Sequence, residues 1–256
     1  MKDVQKERDS RNIQIDRVGV KGVSYPIIAL DHENRTQSTI AQVSMSVMLP
    51  HEYRGTHMSR FIETLEEYRG RVSPHNLEAF TRRLCEKLSA PEASVSFAFP
   101  YYFRKQAPVS KIESFSKCDI TLQASYGPDF DMVIGLGLNV QTLCPCSKEI
   151  SDFGAHNQRA LVELSVRSRG LLWFEEMIAM IEASASAPIY TLLKREDEKF
   201  ITELAYSRPR FVEDVLRELA GKLDAESRIL WYRVNVTSYE SIHGHDAFAE
   251  IERDKR

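Results

Sequence analysis

An α+β fold made of two tandem ββααββ units is what the sequence predicts, and three observations predict it. Strand-period alternation recurs in pairs. Helical-period runs come as two adjacent pairs. The corresponding helices, near residues 58 and 173, lie a little over a hundred positions apart. Antiparallel sheets that each carry a helix pair on one face satisfy all three. The expected organisation is a polar N-terminal arm over residues 1–17, a first unit over 18–128 and a second over 129–256. Such sheets leave open edges, which commonly close against another copy of the chain.

The elements justify this in order. Strand signals run from Gly19 to Leu30 and from Ser38 to Leu49, where Ile40, Val43, Met45, Val47 and Leu49 mark a half-buried strand. Met58–Tyr68 is helical, with Phe61, Ile62 and Leu65 on one face. Pro74–Leu88 is helical with Leu77, Phe80, Leu84 and Leu88 inward, Ser73 as expected N-cap and Pro74 at the first helical position. Val95–Phe103 and Cys118–Tyr126 return to period two. The order then repeats: Met132, Ile134, Leu136, Leu138 and Val140 alternate, and Val162, Leu164 and Val166 make the next strand. Leu172–Ala183 and Pro209–Leu223 are helical, Leu230, Tyr232, Val234 and Val236 alternate again, and a last short strand runs over Ala247–Glu252.

Composition narrows function. Of 256 residues, 43% are apolar and 28% charged, ordinary for a globular chain, and the net charge of -3 gives no whole-molecule attraction to nucleic acid. An anionic substrate therefore needs a local basic pocket. No run approaches the roughly 18–20 apolar residues of a membrane span, and Met1–Asp16 lacks the apolar core of a signal peptide, so a cytoplasmic protein with neither nucleic-acid nor membrane partners is expected. The four cysteines, Cys85, Cys118, Cys144 and Cys146, then read as free or metal-bound thiols, with Cys85 and Cys118 on apolar faces as packing residues.

Three polar stretches follow apolar strands or helices. Leu143-Cys144-Pro145-Cys146-Ser147-Lys148-Glu149 runs on to Asp152-Phe153-Gly154-Ala155-His156-Asn157-Gln158-Arg159. A thiolate and an imidazole joined by a loop with Gly154 suit zinc or iron, although Cys-x-Cys is not the usual zinc knuckle and structural thiols explain it equally well. Lys194-Arg195-Glu196-Asp197-Glu198-Lys199 reads, on composition, as a solvated surface loop. Tyr239-Glu240-Ser241-Ile242-His243-Gly244-His245 places two histidines and a glutamate at a strand end, a good acid–base cluster or a pair of surface histidines.

Together with Arg54-Gly55-Thr56-His57-Met58-Ser59-Arg60-Phe61, these stretches resemble, in order and from Arg11 onward, the signature segments of the type IB GTP cyclohydrolases. The resemblance implies a tunnelling fold whose barrels close by oligomerisation, expected as a homotetramer with active sites at subunit boundaries. It implies GTP and water as substrates, opening of the purine ring at C8, and formate and 7,8-dihydroneopterin 3'-triphosphate as products of this first step toward folates and pterins. One divalent metal (zinc, manganese or iron) is implied on Cys144, His156 and Glu198, with Cys146 the competing thiol. Replacing one thiolate by a hard carboxylate relaxes selectivity for zinc. His243 resembles the catalytic acid–base residue and Glu240 a fourth ligand or base. Glu213 looks like the carboxylate that accepts both donors of the guanine edge, a pair adenine lacks. Lys148, Arg159 and Lys194, with His57 and His245, are candidates for binding the rest of the substrate. A deazaguanine nitrile reductase of the same fold, with Cys144 or Cys146 as nucleophile, and a non-catalytic purine- or metal-binding scaffold are the rival readings.

Overall fold

The computed structural model describes residues 5, 7–32, 35–68 and 70–255. Residues 1–4 and 6 of the expected arm lie outside the described residues, as do 33, 34, 69 and 256. The strands pair in the order β1-β2-β3-β4-β5-β6-β8-β9, with a two-residue β7 on β5. The chain divides into two compact units: residues 1–100 with 120–134, and residues 101–119 with 135–256.

In the first unit β1 (Ile15–Asp31) and β2 (Arg35–Leu49) form a long antiparallel ribbon, in register from Val23↔Val43 to Asp31↔Arg35. Gly19 pairs with Ser46 in a short segment between two irregularities of this ribbon, and a Cβ there would fall 1.9 Å from the Met45 carbonyl, so only glycine permits the approach. Helices α1 (Met58–Tyr68) and α2 (Leu77–Leu88) bury Phe61, Leu65, Leu77, Phe80 and Leu84. Phe80 packs edge-on to Phe97 of β3 (Ala93–Gln106) at 5.8 Å. The α2 cap differs from expectation. Ser73 and Pro74 lie in a turn and Asn76 is the N-cap residue; its side chain accepts from the Ser73 N–H and donates to the Arg71 carbonyl. Asn satisfies this turn on both sides, which moves the helix start to Leu77.

The second unit contains β5 from Gly135 (the strand runs Phe130–Leu143), α3 (Pro145–Ile150), β6 (Asn157–Ser168), α4 (Phe174–Glu182), β7 (Ala187–Pro188), α5 (Arg195–Ser207), α6 (Val212–Ala225), β8 (Ile229–Ser238) and β9 (Ala247–Asp254). β4 (Glu113–Tyr126) contributes to both units. Met177, Ile178 and Ile181 of α4 and Val215, Leu219 and Leu223 of α6 are buried, as are Val162, Leu164, Val166, Tyr232, Val234 and Val236 of the strands. Burying each such side chain contributes about 1.5–3 kcal/mol before entropy is counted. The buried Cys118 thiol is pushed far up by desolvation, and Cys85 in the first unit is raised to about 11 for the same reason, as expected of packing thiols.

The largest departure from the expected order is α5. Its sequence opens as a charge run, yet Ile201 and Ala205 are buried against Leu143 and Ala187, with Ala155 and Tyr190 beside them. Asp197 organises its start. With 0% of its surface exposed, it accepts from Val109 N–H (2.8 Å), Ser110 N–H (2.9 Å), Ser110 Oγ (2.6 Å) and Lys194 N–H (2.9 Å). Burial alone would raise its pKa, but these donors outweigh it and hold the carboxyl well below its ordinary range. Nearby, the buried Lys105 ammonium pairs with Glu182, donates to the Ile189 carbonyl and lies over the Tyr190 ring. Desolvation pulls Lys105 below, and pushes Glu182 above, their ordinary values.

Candidate active site at the strand ends of the second unit

The site is built where β5, β6 and β8 end. Along β6 the buried phase is Ala160, Val162, Leu164 and Val166; along β8 it is Tyr232, Val234, Val236 and Ser238. The register pairs Ala160 with Ser238. Carried two residues further, it sets Gln158 opposite Glu240, and the Tyr239 N–H to Arg159 carbonyl bond (2.9 Å) continues the ladder between them. Thr142 occupies the corresponding buried phase near the end of β5. Polar side chains therefore take over the apolar stripe at one end of all three strands.

They bond to one another. Ser238 Oγ donates to Glu240 Oε1 at 2.8 Å and lies 3.4 Å from Thr142 Oγ1. The Gln158 amide is 3.3 Å from Thr142 Oγ1, 3.4 Å from Glu240 Oε1 and, through its oxygen, 2.9 Å from His156 Nδ1. Cys144 joins through the backbone: its N–H donates to the His156 carbonyl at 3.1 Å. The Cys144 sulfur caps α3 by accepting from the Ser147 N–H at 3.4 Å, and the Ser147 hydroxyl in turn accepts from the His156 N–H at 2.9 Å. Gly154, at φ +92°, turns the loop that returns the chain from α3 to His156. The His243 ring stands edge-on to His156 at 6.4 Å and stacks on His245 at 5.3 Å, both outer rings exposed to solvent.

Leu143 anchors the neighbouring helices. Its carbonyl accepts from the Arg210 N–H (3.0 Å) just before α6, and its side chain packs under α5. Glu198 shares the helical stripe of Ile201 and Ala205, the stripe that packs on Leu143, and is exposed in the first turn of α5. Glu213 is exposed in the first turn of α6, where the helix dipole favours a carboxylate; Asp214, not Glu213, accepts from the Phe211 N–H.

Of the predicted residues the structure thus brings together Cys144, His156, Glu240 and His243, with His245 stacked beside them. Glu198 and Glu213 sit at the starts of helices tied to the strand end that carries Cys144. The Cys144–His156 pair fits a soft-metal site chemically. One nitrogen of His156 is engaged by Gln158, leaving Nε2 as the ring's other coordinating atom. No three His, Cys, Asp or Glu side chains among the described residues are close enough to form a metal-holding group. Cys146 is exposed. Lys148 is engaged elsewhere, donating to the Tyr206 carbonyl (2.6 Å) with its ammonium over the Tyr206 ring. Arg159 and Lys194 are exposed. His57 lies in the first unit, lining a cavity of about 180 Å³ with Tyr53, Thr56 and Arg60.

Sequence reasoning missed Gln158, Ser238 and Thr142 as site residues, and Asp197 as the anchor of α5. The first three had a readable signal: each is polar at a position whose alternation phase is apolar. Asp197 had none, because its partners are backbone groups from a distant turn.

Comparison with known proteins supplies the remaining finding. Residues 1–249 match the family model described as type I GTP cyclohydrolase folE2. The chain is 50% identical over 256 residues to the GTP cyclohydrolase FolE2 of Geotalea uraniireducens (strain Rf4), covering 100% of this chain and 94% of the relative. It is 52% identical over 255 residues to the protein of the same name from Kosmotoga olearia, covering 100% and 99%. Among solved structures it is similar to urate oxidase from Bacillus subtilis 168 (TM-score 0.53, 10% identity, covering 93% of this chain and 98% of that one) and to a uricase from Bacillus fastidious (0.56, 6%, 94% and 93%). At those identities the likeness is one of fold, and the fold is the tunnelling fold.

Proposed function

The chain belongs to the type I GTP cyclohydrolase FolE2 family and is a GTP cyclohydrolase, and we propose that it opens GTP hydrolytically at C8, releasing formate and forming 7,8-dihydroneopterin 3'-triphosphate. The family match sets aside the nitrile reductase and scaffold readings. The observation that carries the finer reading is the convergence of His156, Gln158, Glu240 and His243 on the Cys144 strand end, a proton-handling cluster with a thiol at its edge.

We assign a divalent metal (zinc, manganese or iron) to Cys144 and His156; Glu198, in the first turn of α5, would have to move toward them to become the third donor, since no three such side chains among the described residues stand together as a metal-holding group. When bound, the metal supplies the Lewis acidity that makes water a nucleophile near neutral pH. The chain's own residues do the rest. Glu240, steadied by Ser238 and Gln158, accepts the proton of the attacking water. His243, exposed beside His156, gives a proton to the ring nitrogen that departs from C8 and, now a neutral base, takes one up in a later step; imidazole is the side chain suited to both directions near pH 7. Glu213 accepts the N1–H and exocyclic amine of guanine from the positive end of α6. Arg159, Lys194, His57 and His245 are offered to the remainder of the nucleotide, and Lys148 joins them on leaving Tyr206.

Assembly is part of the proposal. Ile150, the last residue of α3, is 83% exposed, Phe153 in the loop that follows is 97% exposed, and Phe211 is exposed at the start of α6. Large apolar side chains around a site suit burial by another copy, so a homotetramer with sites at subunit boundaries is assigned. No described helix is long and apolar enough to cross a membrane. A cytoplasmic location is part of the proposal.

Purified protein incubated with GTP should release formate and give a fluorescent pterin after oxidation. Complete chelation should abolish both, and added zinc, manganese or iron should restore them. Turnover that survives complete chelation would overturn the metal assignment.

A further inference from the structure

We propose that Gln158 is a positioning residue: it locks the His156 imidazole in the tautomer that carries its proton on Nδ1, and it ties that ring to Glu240 through a single side-chain amide. What the Nε2 lone pair would hold rests on the proposed function; the lock itself rests on hydrogen-bond chemistry.

The chain of donors has one consistent direction. The Gln158 NH2 group donates to Glu240 Oε1 at 3.4 Å, which fixes the nitrogen end of the amide. The same NH2 meets Thr142 Oγ1 at 3.3 Å, and Ser238 Oγ fills a second acceptor site on Glu240 Oε1 at 2.8 Å. With the nitrogen end fixed, the amide oxygen faces His156 Nδ1 at 2.9 Å, and the Ser241 hydroxyl approaches that oxygen at 3.5 Å. A carbonyl oxygen cannot donate. Nδ1 must therefore carry the proton, which in the neutral ring leaves Nε2 with its lone pair outward.

The sheet, not the loop, holds the relay in place. Gln158 lies on β6 in the phase of Ala160 and Val162, and the register with β8 puts it opposite Glu240. Leucine would extend the apolar stripe at this position, so the amide answers a polar requirement rather than a packing one. A ligating histidine whose second nitrogen is fixed in this way has its ring orientation and tautomer set in advance, and losing such a partner typically weakens metal binding by about 10–100-fold.

The test reads the tautomer without activity. In full-length, metal-free protein labelled with 15N at histidine, long-range 1H–15N correlation at about pH 8 keeps ordinary imidazoles neutral and distinguishes the tautomers. His156 should show the Nδ1–H form in the wild type. Gln158→Leu should shift it to the Nε2–H form and weaken zinc binding by about 10–100-fold. Gln158→Glu should keep the Nδ1–H form, because a carboxylate also accepts, while losing the donor to Glu240 and with it turnover number more than GTP affinity. An Nε2–H ring in the wild type, or a Gln158→Leu protein with unchanged tautomer and zinc affinity, overturns the proposal. Should Gln158→Leu not fold, the wild-type spectrum and Gln158→Glu still decide. An Nδ1–H ring in a protein that does not turn over GTP with any metal would sink the functional reading and leave the lock standing; turnover with an Nε2–H ring would do the reverse.

Discussion

The two ββααββ units answer the same architectural demand with different chemistry. In the first, α1 runs to α2 through a short turn, and the helix pair is joined at its surface by Glu67 with Arg83 and Lys87. In the second, β7 and the thirteen-residue α5 are inserted between α4 and α6, and the ends of β5, β6 and β8 exchange apolar for polar side chains. The insertion carries Glu198, the proposed third metal donor, and the exchange places Gln158, Ser238 and Glu240 in one hydrogen-bonded group. A duplicated scaffold can be stable in both copies, and reactivity is added where one copy departs from the pattern.

If that division is right, single substitutions should separate reactivity from stability. The largest expected effect is in the second unit. His243→Ala, in a loop exposed to solvent, should lower GTP turnover by about 10²–10⁴-fold while metal content and the thermal midpoint stay at wild-type values. A loss of metal alongside activity would mean that His243 binds rather than shuttles protons. Next in size, Leu84→Ala in the first unit removes a side chain with 0% exposure and should cost about 2–5 kcal/mol in denaturant unfolding. A cost under about 1 kcal/mol would show that the α1–α2 face tolerates voids and is not tightly packed.

Most of the scaffold was legible because period-two and helical-period signals are local. Met58–Tyr68 was read to the residue, and the paired strands to within a few positions. What failed was local chemistry decided by distant groups. The run Arg195–Lys199 looks solvated by composition, yet it opens a helix because Asp197 finds donors in the turn at Val109 and Ser110. The α2 cap differs for a local reason instead: Asn76 satisfies two backbone groups of its own turn, something no Ser-Pro pattern announces. At the site, the return of the chain from Cys144 to His156 is legible in the order of the motifs, whereas the Gln158 hydrogen bonds depend on the β6–β8 register.

A third substitution tests the insertion itself. Asp197→Ala strands the Val109, Ser110 and Lys194 donors, so amide exchange in the first turns of α5 should quicken by an order of magnitude or more, while protection in α1 and α2 is unchanged. Uniform quickening across both helix pairs would mean that α5 is not an independently held addition.

The smallest effect belongs to the ion pairs of the first unit, and its pH dependence gives it away. The Arg83 hydrogen bond, then that of Lys87, holds the Glu67 carboxyl down at about 2, against an ordinary value of 4.5. A carboxyl depressed in the folded state contributes stability that is fully present above its unfolded pKa and is lost as pH falls through its folded one. The window is therefore about pH 4.5 down to about 2. Because Glu67 and its main partner Arg83 are solvent-exposed, the contribution is screened by salt. The thermal midpoints of the wild type and Glu67→Gln should thus differ slightly at pH 7 in low salt, converge as pH falls through that window, and converge at pH 7 in 1 M salt. A gap that survives both acid and salt would assign Glu67 a packing role, and the first unit's helices would then be held by something other than its core and screened surface charge.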